Sequence, residues 1–391
     1  MRSSHRSLRA AVAAPVVLGM LVLATLGAAP ASADTAPAGT GLEYVSLGDS
    51  YAAGLGLPAD PDQPVSGCAQ GLLNYPRQLA ARTGLTLTDV SCSAAETKNL
   101  IGDVQNPGGG TNPVQTDALS VSTRVVTITI GGNDLGFIGL LTSCIALSRT
   151  GPIISGTAPD CQQALETDGT YDSKIARTVV GDSATASSGL TAAFAAVRKA
   201  APNADVFVVG YPSIMPDKAN IPADGCYRAD ISGDSLTNFR IENGFPFTDV
   251  DVEFIRETQE KLDAASADAA KAAGFTYVST LAGSAAHSAC QTDGTAYVNG
   301  VTFESNANQE ITMPAGALHP NVAGETFLAD TLYPQVEAAL TTDDSDSPTA
   351  PAIPLPGGVQ LPVVIIALVV ALIVIVVVTS IVIRRRRTPR S

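Results

Sequence analysis

Five short β-branched runs punctuate the chain: Tyr44–Leu47, Leu85–Val90, Val125–Ile130, Val206–Gly210 and Phe275–Ser279. Between several of them lie segments rich in Ala, Leu, Lys, Arg and Glu at helical spacing, namely Tyr75–Thr83, Ser188–Ala200 and Val252–Ala273. Strands alternating with helices predict an α/β chain whose parallel sheet is covered on both faces. Ligands of such sheets sit in the crevice outside the carboxyl ends of the strands. Gly48-Asp49-Ser50 follows the first run directly, and Gly131-Gly132-Asn133-Asp134 follows the third, so both turns land on that edge. Residues 140–182 and 215–249 are rich in Gly, Pro, Asp and Ser and read as long loops stapled by cysteines.

The two ends carry their own signals. A basic head (Arg2, Arg6, Arg9), an apolar middle and the exit Ala31-Ser32-Ala33 predict a signal peptide over 1–33, cut before Asp34. Near the other end, 361–383 is an almost unbroken Val/Ile/Leu/Ala stretch, matching the roughly 20 residues a bilayer-spanning helix needs. Arg384-Arg385-Arg386-Arg387 follows it, which predicts a basic cytoplasmic tail over 384–391. The expectation is therefore a single-pass protein of the cell membrane with its main domain, 40–340, outside. A tether over 341–360, rich in Pro, Asp, Ser and Thr, would join domain and anchor.

All 37 acidic residues lie between the two basic ends, against 15 of the 23 basic ones, leaving that span a net charge of −22. Such a surface argues against nucleic acid as a partner and for a self-repelling monomer. Six cysteines (Cys68, Cys92, Cys144, Cys161, Cys226, Cys290) in an exported chain predict disulfides in one of 15 connectivities. No Cys-x-x-Cys pair and no Cys/His cluster of zinc-like spacing occurs, so no metal or cofactor is expected.

The chemistry starts from Ser50. A turn between a strand and a helix projects its hydroxyl beside free backbone N–H groups, where developing negative charge is stabilised. A serine also needs a base. The mature chain offers His287, in a small-residue loop beside Cys290, and His319, in the turn His319-Pro320-Asn321 before the last helix. The second is the candidate base and the first a structural imidazole. Asn133 follows two glycines that let the backbone pass close, leaving its carboxamide free to hold an oxyanion. Asp134 is expected to brace the turn, and Ser93-Ala94-Ala95 offers a backbone donor from a neighbouring strand end.

Gly48-Asp49-Ser50, Cys92-Ser93-Ala94-Ala95, Gly131-Gly132-Asn133-Asp134 and His319-Pro320-Asn321, in this order, resemble the four blocks of the SGNH (GDSL-type) esterase/lipase family, in its secreted actinobacterial three-disulfide branch. The resemblance implies a flavodoxin-like three-layer αβα sandwich around a mostly parallel five-stranded sheet, to which the C-terminal transmembrane helix would be added. It implies Ser50 as nucleophile, His319 as base, and an oxyanion hole of Ser50 N–H, Ala94 N–H and Asn133. It also implies the pairs Cys68–Cys92, Cys144–Cys161 and Cys226–Cys290. The chain departs from the pattern at Ala94, where the family has glycine; a donor survives there if φ is negative. It departs again at Gly316, where many members have aspartate. A main-chain carbonyl, that of Gly316, is then expected to orient His319 in a Ser–His dyad, unless Glu325 or Asp293 reaches the ring.

The function expected is hydrolysis of a small-molecule or lipid carboxylic ester through an acyl-serine. A polysaccharide O-deacetylase and a non-catalytic surface interaction protein are the alternatives. Phe137, Leu140 and Leu141 are candidates for an acyl pocket or for core. The α/β-hydrolase elbow, Gly-x-Ser-x-Gly, is not matched by Gly48-Asp49-Ser50-Tyr51-Ala52.

Overall fold

A computed structural model describes residues 37–167, 169–181, 187–229, 240–292, 294–305, 311–313 and 315–346. The chain divides into two units, Met1–Glu337 and Ala338–Ser391, and the sheets and the site belong to the first. Its strands are β1 (Glu43–Gly48), β2 (Thr86–Asp89), β3 (Thr123–Thr129), β4 (Asp205–Val209), β5 (Arg240–Gly244), β6 (Thr276–Val278), β7 (Val301–Ser305) and β8 (Ile311–Thr312). Five of them form one sheet in the order β2-β1-β3-β4-β6, and every neighbouring pair is parallel. The order reverses at β1, which places the ligand crevice outside the ends of β1 and β3.

Side chains alternate across the sheet. Val45, Leu47, Val126, Ile128, Val206 and Val208 pack into one apolar cluster with Leu190, Phe194 and Val197 of the helix Leu190–Ala200 and with Ala269 and Ala270 of Asp249–Ala272. The opposite face is more polar. There Tyr44 and Tyr75 bond through their hydroxyls to Thr127 Oγ1 at 2.8 Å and Thr129 Oγ1 at 3.0 Å. Gly48 ends β1 with φ of 138°, and a Cβ there would lie 2.3 Å from the Thr129 carbonyl, so only glycine fits.

Three features depart from the sequence reading. The segment expected as a loop over 140–182 contains the helices Cys161–Leu165 and Thr170–Val180, the latter burying Tyr171, Ile175 and Thr178 along one face. The segment 215–249 contributes β5 to a second sheet, β5-β7-β8, which is antiparallel. The final helix, Val322–Asp346, runs into the expected tether, where Thr341 and Thr342 bond back to the carbonyls of Ala338 and Ala339.

The expectation of a membrane span is corrected. Among the described residues no helix is long and apolar enough to cross a membrane. The helix Asp249–Ala272 is charged along one face, as Glu253, Glu257, Glu260 and Lys271 show. The described fold thus contains no C-terminal transmembrane helix, and the single-pass location at the cell membrane is not supported. Residues 361–383, where that helix was expected, lie outside the described residues. So do 1–33, the tether beyond Asp346, and 384–391.

Candidate active site

Ser50 opens the short helix Ser50–Ala53, capped by Asp49, whose carboxylate accepts the Tyr51 N–H at 3.0 Å. As the first helical residue, Ser50 has an N–H with no partner inside the helix. Its side chain meets His319: Nε2 lies 2.7 Å from Ser50 Oγ, and both residues are buried, at 5% and 7% exposure. The other ring nitrogen, Nδ1, lies 2.8 Å from the Ala317 carbonyl. A carbonyl only accepts, so Nδ1 carries the proton and Nε2 is left to accept from the serine hydroxyl.

The orienting carbonyl is therefore that of Ala317, and the expectation of Gly316 is corrected. Gly316 O is turned away, accepting from His319 N–H at 3.2 Å and from Asn299 Nδ2 at 3.1 Å. The turn is tight because Gly316 has φ of 92° and Leu318 φ of 56°. Glu325 does not reach the ring either. It is fully buried and its Oε2 accepts the Tyr75 N–H at 2.8 Å. Asp293 lies outside the described residues. His287 is far from this arrangement in role: its Nδ1 bonds the Thr295 carbonyl at 2.8 Å and its ring stacks on Tyr297.

The three strand ends converge as the crevice rule requires. Asn133, after β3, donates through Nδ2 to the Ala95 carbonyl at 2.9 Å, joining its turn to the one after β2. Asp134 accepts from Thr97 N–H and Oγ1, bracing the same junction. Ala94 has φ of 63°, so the condition of a negative φ is not met: alanine sits in the left-handed conformation that glycine adopts without strain. The turn is held from below, since Ser93 N–H and Oγ both donate to the Cys68 carbonyl and Cys68 is bonded to Cys92. The other disulfides are Cys144–Cys161 and Cys226–Cys290. Cys144, Cys161 and Asp251 cluster tightly, but both sulfurs are used in the disulfide and Asp251 accepts the Cys161 and Gln162 N–H groups.

Burial pushes the His319 pKa below its ordinary value, opposed by the bond to Ala317, so the neutral base is favoured. Burial also raises Asp49 to about 7, against the hydrogen bonds from Tyr211 and Tyr51 that favour its charge. A hydroxyl bonded to a neutral, buried imidazole can lose its proton as it attacks an electrophilic carbon.

A narrow pocket, open at its mouth, starts at Ser50 and is walled by Phe137, Ile138, Tyr211, Ile214 and Leu262. Leu140 and Leu141 are core instead. A larger cavity lies behind the histidine loop, at Asn299, Thr302, Gly316 and Asn321, and neither Ser50 nor His319 lines it. The smaller one is the candidate substrate pocket, because Ser50 lines it.

The sequence reading missed three participants. Gln115 grips Gly48 at both ends, accepting its N–H at 2.7 Å and donating to its carbonyl at 2.9 Å. Tyr51 packs its ring 4.7 Å from that of His319. Tyr211 donates a hydrogen bond from its hydroxyl to Asp49 and accepts one from Gly132 N–H. Only Tyr211 had a legible signal, an aromatic residue between Gly210 and Pro212 just beyond a strand end.

Residues 46–326 match the GDSL-like Lipase/Acylhydrolase family. The chain belongs to that family. It is 34% identical to "Lipase 2" of Streptomyces coelicolor over 329 residues, which cover 83% of this chain and 95% of that protein. It is 29% identical to "Esterase" of Streptomyces scabiei over 360 residues, 87% of this chain and 98% of that one. Among solved structures, an extracellular lipase from Streptomyces rimosus aligns with a TM-score of 0.48 at 22% identity, covering 76% of this chain and 99% of that one. With this family goes the enzyme class: the chain is a carboxylic-ester hydrolase of the serine type.

Proposed function

We propose that this enzyme cleaves a small-molecule or lipid ester through an acyl intermediate on Ser50, with His319 as its base in a dyad. The observation that carries the proposal is the unbroken line from the Ala317 carbonyl through the His319 ring to Ser50 Oγ, at 2.8 Å and 2.7 Å. Ser50 Oγ bonds to the ester carbonyl carbon as its proton passes to Nε2. The carbonyl oxygen becomes an oxyanion, held by the N–H group of Ser50 and by the Asn133 carboxamide, while Ala94, with φ of 63°, fails the condition set for its N–H to serve as a third donor. The C–O bond to the alcohol then breaks, and the alcohol leaves with the proton from Nε2. Water repeats the sequence on the acyl-serine, giving its proton to Nε2, and the acid departs as Ser50 recovers its hydrogen.

The apolar walls beside Ser50 favour the hydrocarbon part of an ester over a charged one. Three disulfides suit an oxidising compartment outside the cytoplasm. The test is Ser50→Ala assayed on p-nitrophenyl esters from acetate to palmitate. Hydrolysis should vanish while thermal unfolding stays close to that of the parent. Persistent turnover by this variant would remove Ser50 from the reaction.

A further inference from the structure

The geometry points to Tyr211 as a positioning residue: its hydroxyl, shared between Asp49 and Gly132, holds the turns of β1 and β3 in the spacing that oxyanion binding needs. The inference rests on the ester-hydrolase reading of Ser50 and adds a residue that the four sequence blocks do not contain.

Tyr211 follows β4, the strand next to β3, and so stands on the same edge as the two turns. Its hydroxyl donates to Asp49 Oδ2 at 2.5 Å and accepts from Gly132 N–H at 2.9 Å. Each partner is the immediate neighbour of a proposed oxyanion donor: Asp49 precedes Ser50, and Gly132 precedes Asn133. One oxygen atom therefore fixes both turns, with donor and acceptor capacity each used once. The ring is fixed as well, edge-on to Tyr51 with centroids 4.9 Å apart, while Tyr51 lies against His319.

The ring also forms a wall of the pocket, so the two functions of the residue separate by atom. The hydroxyl sets the turns, and the ring shapes the place where substrate binds. Glycine at 132 is part of the device, since a Cβ there would lie 3.0 Å from the Tyr211 hydroxyl. Loss of the hydroxyl leaves the Gly132 N–H without its acceptor and the buried Asp49 with one donor fewer. The turns are then free to part by fractions of an ångström. Displacements of about 1 Å in a reacting array cost about a hundredfold in rate.

Tyr211→Phe keeps the ring and removes only the oxygen. With p-nitrophenyl acetate and the full chain, kcat should fall about tenfold to a hundredfold while KM stays within about twofold. A role confined to folding would lower the midpoint of thermal unfolding and leave the kcat of the folded fraction, titrated with a fluorophosphonate, unchanged. Gly132→Ala presses on the same hydrogen bond from the other side and should reproduce the kcat effect. It decides the matter alone if the phenylalanine variant does not fold. Parental kcat per titrated site, or a loss carried by KM only, overturns the inference. Activity in Ser50→Ala would instead overturn the underlying reading, so the two failures are distinguishable.

Discussion

The hydroxyl of Tyr51 donates to the carbonyl of Leu318 at 2.6 Å, tying the residue after the serine to the residue before the histidine. The two lie at opposite ends of the domain in sequence, and the bond is buried. Leu318 has φ of 56°, a conformation costly for a branched side chain. An acceptor anchored from outside the turn helps to keep it there. The Ser50–His319 pair is thus spanned twice, once by its own hydrogen bond and once by its chain neighbours.

Removing that second span is the first expectation. Tyr51→Phe keeps the ring against His319 but leaves a buried carbonyl without its donor. A loss of about 1–3 kcal/mol in stability should follow. A fall in kcat should accompany it, because the histidine turn is freed. Urea unfolding and steady-state kinetics on one preparation check both, and unchanged values in both would show that the bond is dispensable.

The pH profile should report a depressed histidine. Burial lowers the His319 pKa from 6.5, so the protonated, inactive ring accumulates only below that value. The acid limb of kcat/KM should therefore have its midpoint under pH 6.5. By the same sign, the stability that the neutral ring contributes is present above the unfolded pKa and fades as pH falls through the folded one. A limb centred above the ordinary histidine value would contradict the buried placement.

Asp49 predicts the opposite trend. Its folded pKa of about 7 exceeds the unfolded 3.8, so the folded state holds the proton more tightly. The stabilisation is complete at low pH and drains away as pH climbs from the unfolded value through the folded one. Between about pH 5 and about pH 8, the parent should lose more stability than Asp49→Asn, whose amide does not titrate. Denaturant midpoints at the two pH values are the measurement, and parallel behaviour would sink the assignment.

A fourth expectation concerns Gly56 and Gly316, which pack backbone against backbone. A Cβ on Gly56 would lie 2.5 Å from Gly316 Cα, and both glycines have φ above 90°. Gly56→Ala should therefore cost about 1–3 kcal/mol from the conformation alone, with the overlap added. It should also slow turnover, since Gly316 begins the turn that aims His319. A thermal melt and a kcat measurement decide, and a variant as stable as the parent would mean the loops separate easily.

Much of this was written plainly in the chain. The five runs that predicted the sheet became β1, β2, β3, β4 and β6, because short β-branched segments between helices have few other uses. Ser50 and His319 could be paired on paper because each sat next to a sheet edge. The one-residue error at the orienting carbonyl has a physical source: Leu318 adopts a positive φ, which leucine rarely does, and that rotates Ala317 O toward the ring. The helix Thr170–Val180 was legible in the spacing of Tyr171, Ile175 and Thr178, but glycine and aspartate around it read as loop. The strand Val301–Ser305 alternates as strands do, yet its partner, Arg240–Gly244, carries no comparable pattern. Gln115 belongs to a short 3₁₀ turn with no periodicity, so its grip on Gly48 had no signal at all.

The third member of the dyad's hydrogen-bonded line, the oxygen of Ala317, belongs to the polypeptide itself. No codon change at 317 can delete it, whereas a carboxylate in that place would vanish with one substitution. Side chains there are free to drift, provided the loop keeps its path. The vulnerability moves to whatever bends that path: an insertion near 316, a proline, or a bulky residue opposite Gly56. Inactivating lesions in this stretch should thus be changes of backbone shape, not of chemistry.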